Sequence, residues 1–153
     1  PYIISRMAPL VGHMGAWAAR AEQVATADLL NDDDAQQAFM VPFKEAILAR
    51  LTLLANGLKQ MKAAGHPVDN IDPQGAIYLS ARFALHGQTI KGRTLTTDAD
   101  ICNLLLEEAG VAVVPFTAFG YPEGSGWVRF SVGAVTEQDV SDAIDRLRAL
   151  LES

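Results

Sequence analysis

One arginine, Arg129, stands in the middle of a stretch that otherwise favours a β-strand. The stretch reads GSGWVRFSV over residues 124–132, and its aromatic and β-branched residues are typical of a pleated, half-buried segment. An arginine there either points outward to water, where it can pair with an acid, or is held for a group that matches a guanidinium. A guanidinium is a rigid fork of donors that fits a carboxylate through two parallel hydrogen bonds. Carboxylate binding is therefore the chemistry to test at Arg129.

The other residues capable of chemistry form no recognisable site. His13, His66 and His86 are far apart and lack the spacing of metal ligands on a helix. The acids of residues 32–34 are interpreted as a solvated N-terminal cap, because a metal site needs ligands that converge from elsewhere. Cys102 has apolar neighbours in a helical pattern, which predicts a buried, inert thiol. We therefore expect no metal site.

Composition excludes several classes of protein. The chain has 153 residues, half of them apolar, which suits one domain or one domain with an appendage. A formal net charge of −6 argues against a nucleic-acid partner, and no apolar run approaches the ~20 residues of a membrane helix. A single cysteine excludes an internal disulfide and is compatible with the cytoplasm.

Helical patterns occupy the first part of the chain. Residues 1–31 are rich in helix formers, and a long helix is predicted over residues 36–64, with Pro42 at its start or at a kink. Gly65 and the proline that follows it end the helix. An apolar stripe, predicted to be core or an inter-domain seam, runs along it through Met40, Phe43, Ile47, Leu51, Leu54, Leu58 and Met61.

Short strands follow, interleaved with capped helices. Strands are predicted near residues 76–83, over 111–114 and around Arg129, and residues 85–97 read as a polar loop. Two helices begin at capping-box pairs, Thr97 with Asp100 and Thr136 with Asp139. These patterns predict an α/β fold (α+β layered), with helices packed on a small sheet.

Taken in order, these segments resemble a known family. The run GVAVVPFTAFGYPEGSGWVRFSV resembles the C-terminal domain of pyridoxal-phosphate-dependent class I/II aminotransferases of fold type I, in particular those like aspartate aminotransferase. The matching parts are a short strand and turn at 110–115, a glycine-containing loop at 118–126, Arg129, and a final helix at 136–153. PQGAIYLS resembles the family's P-x-G-(A/T)-F-Y strand through Pro73, Gly75, Ala76 and Tyr78.

The resemblance covers essentially the whole chain, with two departures. TTDADICNLLLEEAGV resembles the helix before the arginine strand, and the stripe of residues 36–64 resembles the long helix that joins the two domains. Phe116 stands where most relatives have glycine, so the loop takes another path or the pocket is narrower there. Ile77 replaces the usual phenylalanine before Tyr78, a change that a strand tolerates.

The resemblance also implies a domain organisation. Residues 1–35 are expected to be the tail of a cofactor-binding large domain and the inter-domain helix, and residues 36–153 the small C-terminal domain. The chain opens on PYIISRM without an initiator Met, which we interpret as a start within a longer protein. The apolar residues from Ile3 to Trp17 are then expected to be buried by the large domain or by the partner chain of a homodimer.

The function that the resemblance implies is transfer of an amino group between an amino acid, with aspartate as a candidate, and a 2-oxo acid. Arg129 is the residue that would bind the α-carboxylate of the substrate. Phe119 and Tyr121 either line the substrate pocket or simply pack. The cofactor would be pyridoxal phosphate, whose lysine is expected upstream, because the lysines of this sequence lack the family's S-x-S-K context. Those lysines are Lys44, Lys59, Lys62 and Lys91.

We therefore expect no catalytic or cofactor-binding residue in these 153 residues and no activity from them alone. Three alternatives stay open. A lyase or synthase of the same fold would use Arg129 in the same way, and the deciding residues would lie upstream. A non-catalytic small-molecule-binding α/β module would need a self-sufficient core. A structural interaction domain would give Arg129 no particular role.

Overall fold

The bounds of the helices and strands come from a computed structural model, which describes residues 2–15 and 18–153. The helices are α1 (Tyr2–Met14), α2 (Arg20–Leu30), α3 (Asp33–Ala63), α4 (Asp98–Ala109) and α5 (Glu137–Leu151), with a 3-10 helix at Phe116–Phe119. The strands are β1 (Val68–Asn70), β2 (Tyr78–Phe83), β3 (Thr89–Ile90), β4 (Arg93–Thr94), β5 (Val114–Pro115) and β6 (Trp127–Ser131). The chain divides into two compact units, Pro1–Lys44 and Glu45–Ser153.

The first unit is helical, as its composition predicts, and its apolar side chains are largely uncovered. Trp17, part of the predicted apolar opening, lies outside the described residues. In α1 every large apolar side chain is exposed, and these residues are Tyr2, Ile3, Ile4, Met7, Leu10, Val11 and Met14. Their burial by another domain or by a partner chain stays a prediction.

Helix α3 begins earlier than residue 36 and passes through Pro42 without ending. The side chain of Asp32 accepts a hydrogen bond from the backbone N–H of Ala35 at 2.9 Å, which confirms the predicted acidic cap. The stripe is only partly core: Met40 and Phe43 are exposed. Its buried members are Ile47, Leu51, Leu54, Leu58 and Met61.

The second unit contains a four-stranded antiparallel sheet in the order β1-β2-β6-β5. In the central pair, Leu79 faces Phe130 and Ala81 faces Val128, and all four side chains are buried. Residues of α3, α4 and α5 join this face of the sheet in a single hydrophobic core. The predicted layered α/β fold is confirmed. No helix in the described part of the chain is long and apolar enough to cross a membrane.

Several strand predictions were wrong in detail. The strand predicted from residue 76 begins at Tyr78, because Ala76 has a left-handed φ of 56° that is incompatible with a strand. The strand predicted over 111–114 is reduced to Val114 and Pro115, the two residues that pair with β6. The predicted loop 85–97 contains the β3–β4 hairpin, and β1 was not predicted.

Both predicted capping boxes are confirmed. Thr97 and Asp100 begin α4, and Thr136 and Asp139 begin α5, each pair with reciprocal side-chain and backbone hydrogen bonds. At the other end of α4, Gly110 adopts a left-handed φ of 63°, the usual conformation after the last helical turn. These caps set where α4 and α5 begin, and both helices cover the inner face of the sheet. Arg129 lies on the opposite face.

Candidate functional site

Arg129 lies at the centre of β6 on the sheet face opposite the core. Val128 and Phe130 point into the core, so the alternation of the strand directs Arg129 to the other side. Its neighbours across the sheet are Ser80 on β2 and Val114 on β5. The arginine is half-buried, and therefore does not project into bulk solvent as a surface strand residue would.

Two aromatic rings hold the guanidinium of Arg129. Its central carbon lies over the Tyr78 ring, 4.1 Å from the centroid, and over the Phe119 ring, 4.6 Å from the centroid. Tyr78 belongs to β2 and Phe119 to the 3-10 helix after β5, so the rings come from the two sides of β6. Rings over a guanidinium attract its charge, while the N–H donors, which lie in its plane, stay directed outward.

Acids do not neutralise this cation within the described residues. Arg93 and Arg148 form salt bridges with nearby carboxylates, whereas Arg129 forms none in residues 2–15 and 18–153. A half-buried cation that is held by aromatic rings retains its capacity for an external anion. The arrangement therefore fits a carboxylate ligand.

An aromatic cluster continues from this site. Phe116 is its centre, with ring centroids 6.1 Å from Phe119, 6.0 Å from Tyr121 and 6.1 Å from Trp127. Phe116, singled out as a departure from glycine, therefore packs between the loop and β6 and supports the ring that covers Arg129. A glycine at this position would leave Phe119 without that edge contact.

Phe119 and Tyr121, which the sequence suggested as pocket-lining residues, differ in their position relative to Arg129. Phe119 contacts Arg129, whereas within the described residues Tyr121 packs against Phe116 and its ring does not cover the guanidinium. Both side chains are exposed by more than half of their area, at 55% and 51%. Their role as pocket-lining residues stays a prediction.

Sequence reasoning missed the role of Tyr78. This residue was noted only as part of a strand motif, yet its ring lies closest to the guanidinium. Its signal in the sequence is alternation, because Tyr78, Ser80 and Arg82 alternate along β2 with the buried residues of the core face. Alternation alone does not identify the strand beside it, and therefore the contact could not be read from the sequence.

The residues around Arg129 fit a carboxylate and do not fit pyridoxal phosphate. The cofactor needs a lysine for its Schiff base. Within residues 45–153, Lys59 and Lys62 lie 2.5 and 2.6 Å from the carboxylates of Asp72 and Asp69, and Lys91 forms the turn of the β3–β4 hairpin. None of these three lysines contacts the aromatic rings or the guanidinium of the Arg129 site.

The remaining candidates form no second reactive centre. Among the described residues, no three His, Cys, Asp or Glu side chains are grouped to hold a metal ion. His86 lies 3.0 Å from the buried carboxylate of Asp98. Cys102 was predicted to be buried, but it is only partly buried, at the edge of the core. This partial burial, together with the negative charges of Asp98 and Glu123, raises the pKa of its thiol to about 11, which suits an inert thiol.

Comparison with known proteins identifies the family. The family model for aminotransferase class I and II matches residues 2–147. The chain belongs to this family. Aminotransferases of class I and II depend on pyridoxal phosphate, so the resemblance drawn from Arg129 and its flanking motifs is confirmed.

Individual relatives agree with this assignment. An aspartate aminotransferase of Rhizobium meliloti (strain 1021) is 32% identical over 96% of this chain, which covers 34% of that protein. An asparagine–oxo-acid transaminase of Streptococcus mutans is 31% identical over 99% of the chain and 35% of its own length. In the crystal structure of an aromatic aminotransferase from Pyrococcus horikoshii, the TM-score is 0.67 at 29% identity, covering 85% of this chain and 30% of that one. The chain thus spans about a third of the length of the curated relatives that it matches.

Proposed function

We propose that the protein containing this chain is a pyridoxal-phosphate-dependent aminotransferase in which Arg129 binds the carboxylate of the amino acid and of the 2-oxo acid. The observation that carries the proposal is the half-buried Arg129 guanidinium, held between Tyr78 and Phe119 and without a salt bridge in the described residues. Family membership supplies the reaction class. Aspartate is the first amino acid to test, because the Rhizobium relative is named for it.

The geometry of Arg129 suits the task of orienting a substrate. Two parallel N–H donors would bind both carboxylate oxygens and fix the direction of the Cα substituents. Charge-assisted hydrogen bonds of this kind each contribute about 1.5–3 kcal/mol. The aromatic rings would keep the guanidinium in one orientation before the substrate arrives, which lowers the entropy lost on binding.

The cofactor lysine is proposed to come from a part of the protein outside these residues. When bound, pyridoxal phosphate supplies the electron sink of the reaction, and no residue of the Arg129 site replaces it. In the same proposal, residues 1–35 belong to the cofactor-binding domain and the inter-domain helix, and residues 36–153 form the small domain. The exposed apolar side chains of α1 support a homodimer or a domain contact at that helix. A cytoplasmic location is proposed from the single cysteine.

The deciding experiment replaces Arg129 in the whole protein and measures kcat/KM with L-aspartate and 2-oxoglutarate. Arg129→Ala is expected to lower kcat/KM by about two to four powers of ten, since two charge-assisted hydrogen bonds are lost. Arg129→Lys should recover only part of the activity, because an ammonium lacks the planar fork. Arg148→Lys, a conservative change at a surface ion pair of α5, serves as the control. Unchanged kcat/KM for Arg129→Ala would refute the proposed role.

Residues 1–153 alone are proposed to be inactive, which a second experiment addresses. The isolated chain is mixed with pyridoxal phosphate, L-aspartate and 2-oxoglutarate, and formation of glutamate is measured. No glutamate is expected, because none of the four lysines in residues 1–153 has the S-x-S-K context of the cofactor lysine. Turnover by the isolated chain would contradict this proposal.

A carbon–sulfur lyase or synthase of the same fold remains the second candidate within enzymes. The relatives reported above carry the names of aminotransferases or transaminases, which favours amino-group transfer. Product analysis of the whole protein separates the two reactions, because a lyase releases a fragment of the substrate side chain. A non-catalytic binding module would bind a carboxylate at Arg129 and yield neither product.

A further inference from the structure

A buried acid, Asp98, underlies the segment that leads into β6. Of the charged and polar residues that the structure describes, Asp98 is the one that is buried, with an exposed fraction of 0%. It is the first residue of α4, whose capping box is already formed by Thr97 and Asp100. Burying a carboxylate costs free energy unless hydrogen-bond donors satisfy it, so the hydrogen-bond partners of Asp98 indicate its structural role.

The hydrogen-bond partners of Asp98 come from one turn, residues 123–126. Its carboxylate accepts hydrogen bonds from the backbone N–H of Gly126 at 2.8 Å and from the Ser125 hydroxyl at 3.3 Å. Its own backbone N–H donates to the carboxylate of Glu123 at 2.6 Å. His86 Nε2 is also 3.0 Å from this carboxylate, although the contact is not aligned as a hydrogen bond.

The turn 123–126 fixes where β6 starts. The Gly126 carbonyl accepts a hydrogen bond from the backbone N–H of Phe83 at 2.9 Å, at the end of β2. The Ser125 carbonyl accepts one from Arg82 Nε at 3.0 Å, and the Ser125 hydroxyl accepts one from the N–H of Trp127 at 3.3 Å. Trp127 is the first residue of β6. The turn is therefore anchored to α4 on one side and to β2 on the other.

We propose that Asp98 is a positioning residue for the carboxylate site, which deepens and rests on the proposed function of Arg129. Its buried charge holds the turn 123–126, and the turn sets the register of β6 against β2. The register in turn brings Arg129 on β6 beside Tyr78 on β2. Asp98 acts through the backbone and touches no substrate.

The test compares Asp98→Asn with a matched control, Asp100→Asn, in the 153-residue chain. Asp100 lies in the same helical turn and accepts hydrogen bonds from Thr96 and Thr97, with none from the turn 123–126. N-acetyl-L-alanine is the carboxylate probe, and N-acetyl-L-alaninamide is the matched ligand without a carboxylate. NMR follows the Nε–H resonance of Arg129, which the ring currents of Tyr78 and Phe119 shift, and thermal unfolding measures stability separately.

Asp98→Asn is expected to raise the Kd for N-acetyl-L-alanine about tenfold, because small misplacements of a positioned group weaken binding steeply. The Arg129 Nε–H resonance should move toward the chemical shift expected when no aromatic ring covers the guanidinium. Asp100→Asn should lower the unfolding temperature and leave the Kd within about twofold of the parent value. The proposal is overturned if Asp98→Asn binds like the parent chain, or if both variants raise the Kd equally.

A second variant covers the case in which Asp98→Asn does not fold. Ser125→Ala removes the hydroxyl that joins Asp98 to the N–H of Trp127, while leaving the buried charge in contact with Gly126. It should move the Arg129 resonance in the same direction by a smaller amount. An Arg129 resonance at the parent position in this variant would overturn the proposal.

Failure of the proposed function gives a different result. If the parent chain binds the amide as well as the acid, Arg129 is not a carboxylate site and the proposed function fails. The ring-current shift of Arg129 needs no ligand, so its change or constancy in Asp98→Asn still decides whether Asp98 positions the arginine.

Discussion

The guanidinium carbon of Arg129 lies 4.1 Å from the centroid of the Tyr78 ring, on the neighbouring strand β2. The pairing of β2 with β6 sets this contact, since Ser80 faces Arg129 and Ser131 faces Tyr78. The contact lets a cation stay half-buried without an acid, because the ring face replaces part of its hydration. A paired acid would instead compete with any incoming carboxylate.

Removing either ring should therefore weaken carboxylate binding without abolishing it. Tyr78→Leu and Phe119→Leu are each expected to cost about 0.5–1 kcal/mol of binding free energy, or about two- to fivefold in Kd. Tyr121→Leu is the matched control, because Tyr121 is similarly exposed and contacts Phe116 in place of Arg129. NMR titration with N-acetyl-L-alanine measures the three values. Equal losses in all three variants would mean that general packing, and not the contact with the guanidinium, sets the affinity.

The capping box of α5 predicts a pH dependence of stability. The backbone N–H and hydroxyl of Thr136 donate to the Asp139 carboxylate at 2.8 and 2.7 Å and hold its pKa below the usual value. A lowered folded-state pKa means that the stabilisation is present above the unfolded-state pKa of about 4 and is lost as the pH falls through the folded-state pKa. The parent chain should thus be more stable than Asp139→Asn at pH 7, and this advantage should shrink below pH ~4. Urea unfolding at pH 7 and at acidic pH measures the difference, and an advantage that does not change with pH would contradict the mechanism.

Gly126 should be the least replaceable glycine of the loop before β6. It has a φ of 70°, and a Cβ built there would lie 2.3 Å from the carbonyl oxygen of Phe83. Gly124 has a similar φ of 82° with open space around it, so Gly124→Ala isolates the conformational cost of about 1 kcal/mol. Gly126→Ala should lose about 1–3 kcal/mol more in free energy of unfolding, because the backbone must move. Urea unfolding of both variants gives the comparison, and equal losses would show that the Phe83 contact relaxes without cost.

Local signals in the sequence explain which parts of the fold could be predicted. The capping boxes at Thr97 and Thr136 depend on residues three apart, and α3, α4 and α5 follow from apolar repeats of three and four. The β3–β4 hairpin was missed because each strand has only two residues, too few for an alternating pattern. Its turn contains Lys91 and Gly92, which both have positive φ. Lysine seldom adopts positive φ, so its presence did not indicate a tight turn.

The candidate site likewise has one part that local sequence predicts and another that it does not. Arg129 could be identified from its place in a strand and from the ordered motifs around it. The contacts with Tyr78 and Phe119 depend on strand order and register, which join residues far apart in sequence. The hydrogen bonds between Asp98 and the turn 123–126 could not be predicted either, because an acid in the first turn of a helix is ordinarily exposed.

The sole cysteine, Cys102, allows a test of how burial and nearby charges affect a thiol of α4. Burial and the charges of Asp98 and Glu123 raise the Cys102 pKa to about 11, and the thiolate is the species that reacts with iodoacetamide. At pH 8 the thiolate is about one part in a thousand, so alkylation should be slow and should rise about tenfold per pH unit between pH 7 and 10. The urea-unfolded chain is the control, and its rate should level off near the ordinary thiol pKa of about 8.5. A folded chain whose rate levels off at that same pH would mean that neither burial nor Asp98 acts on this thiol.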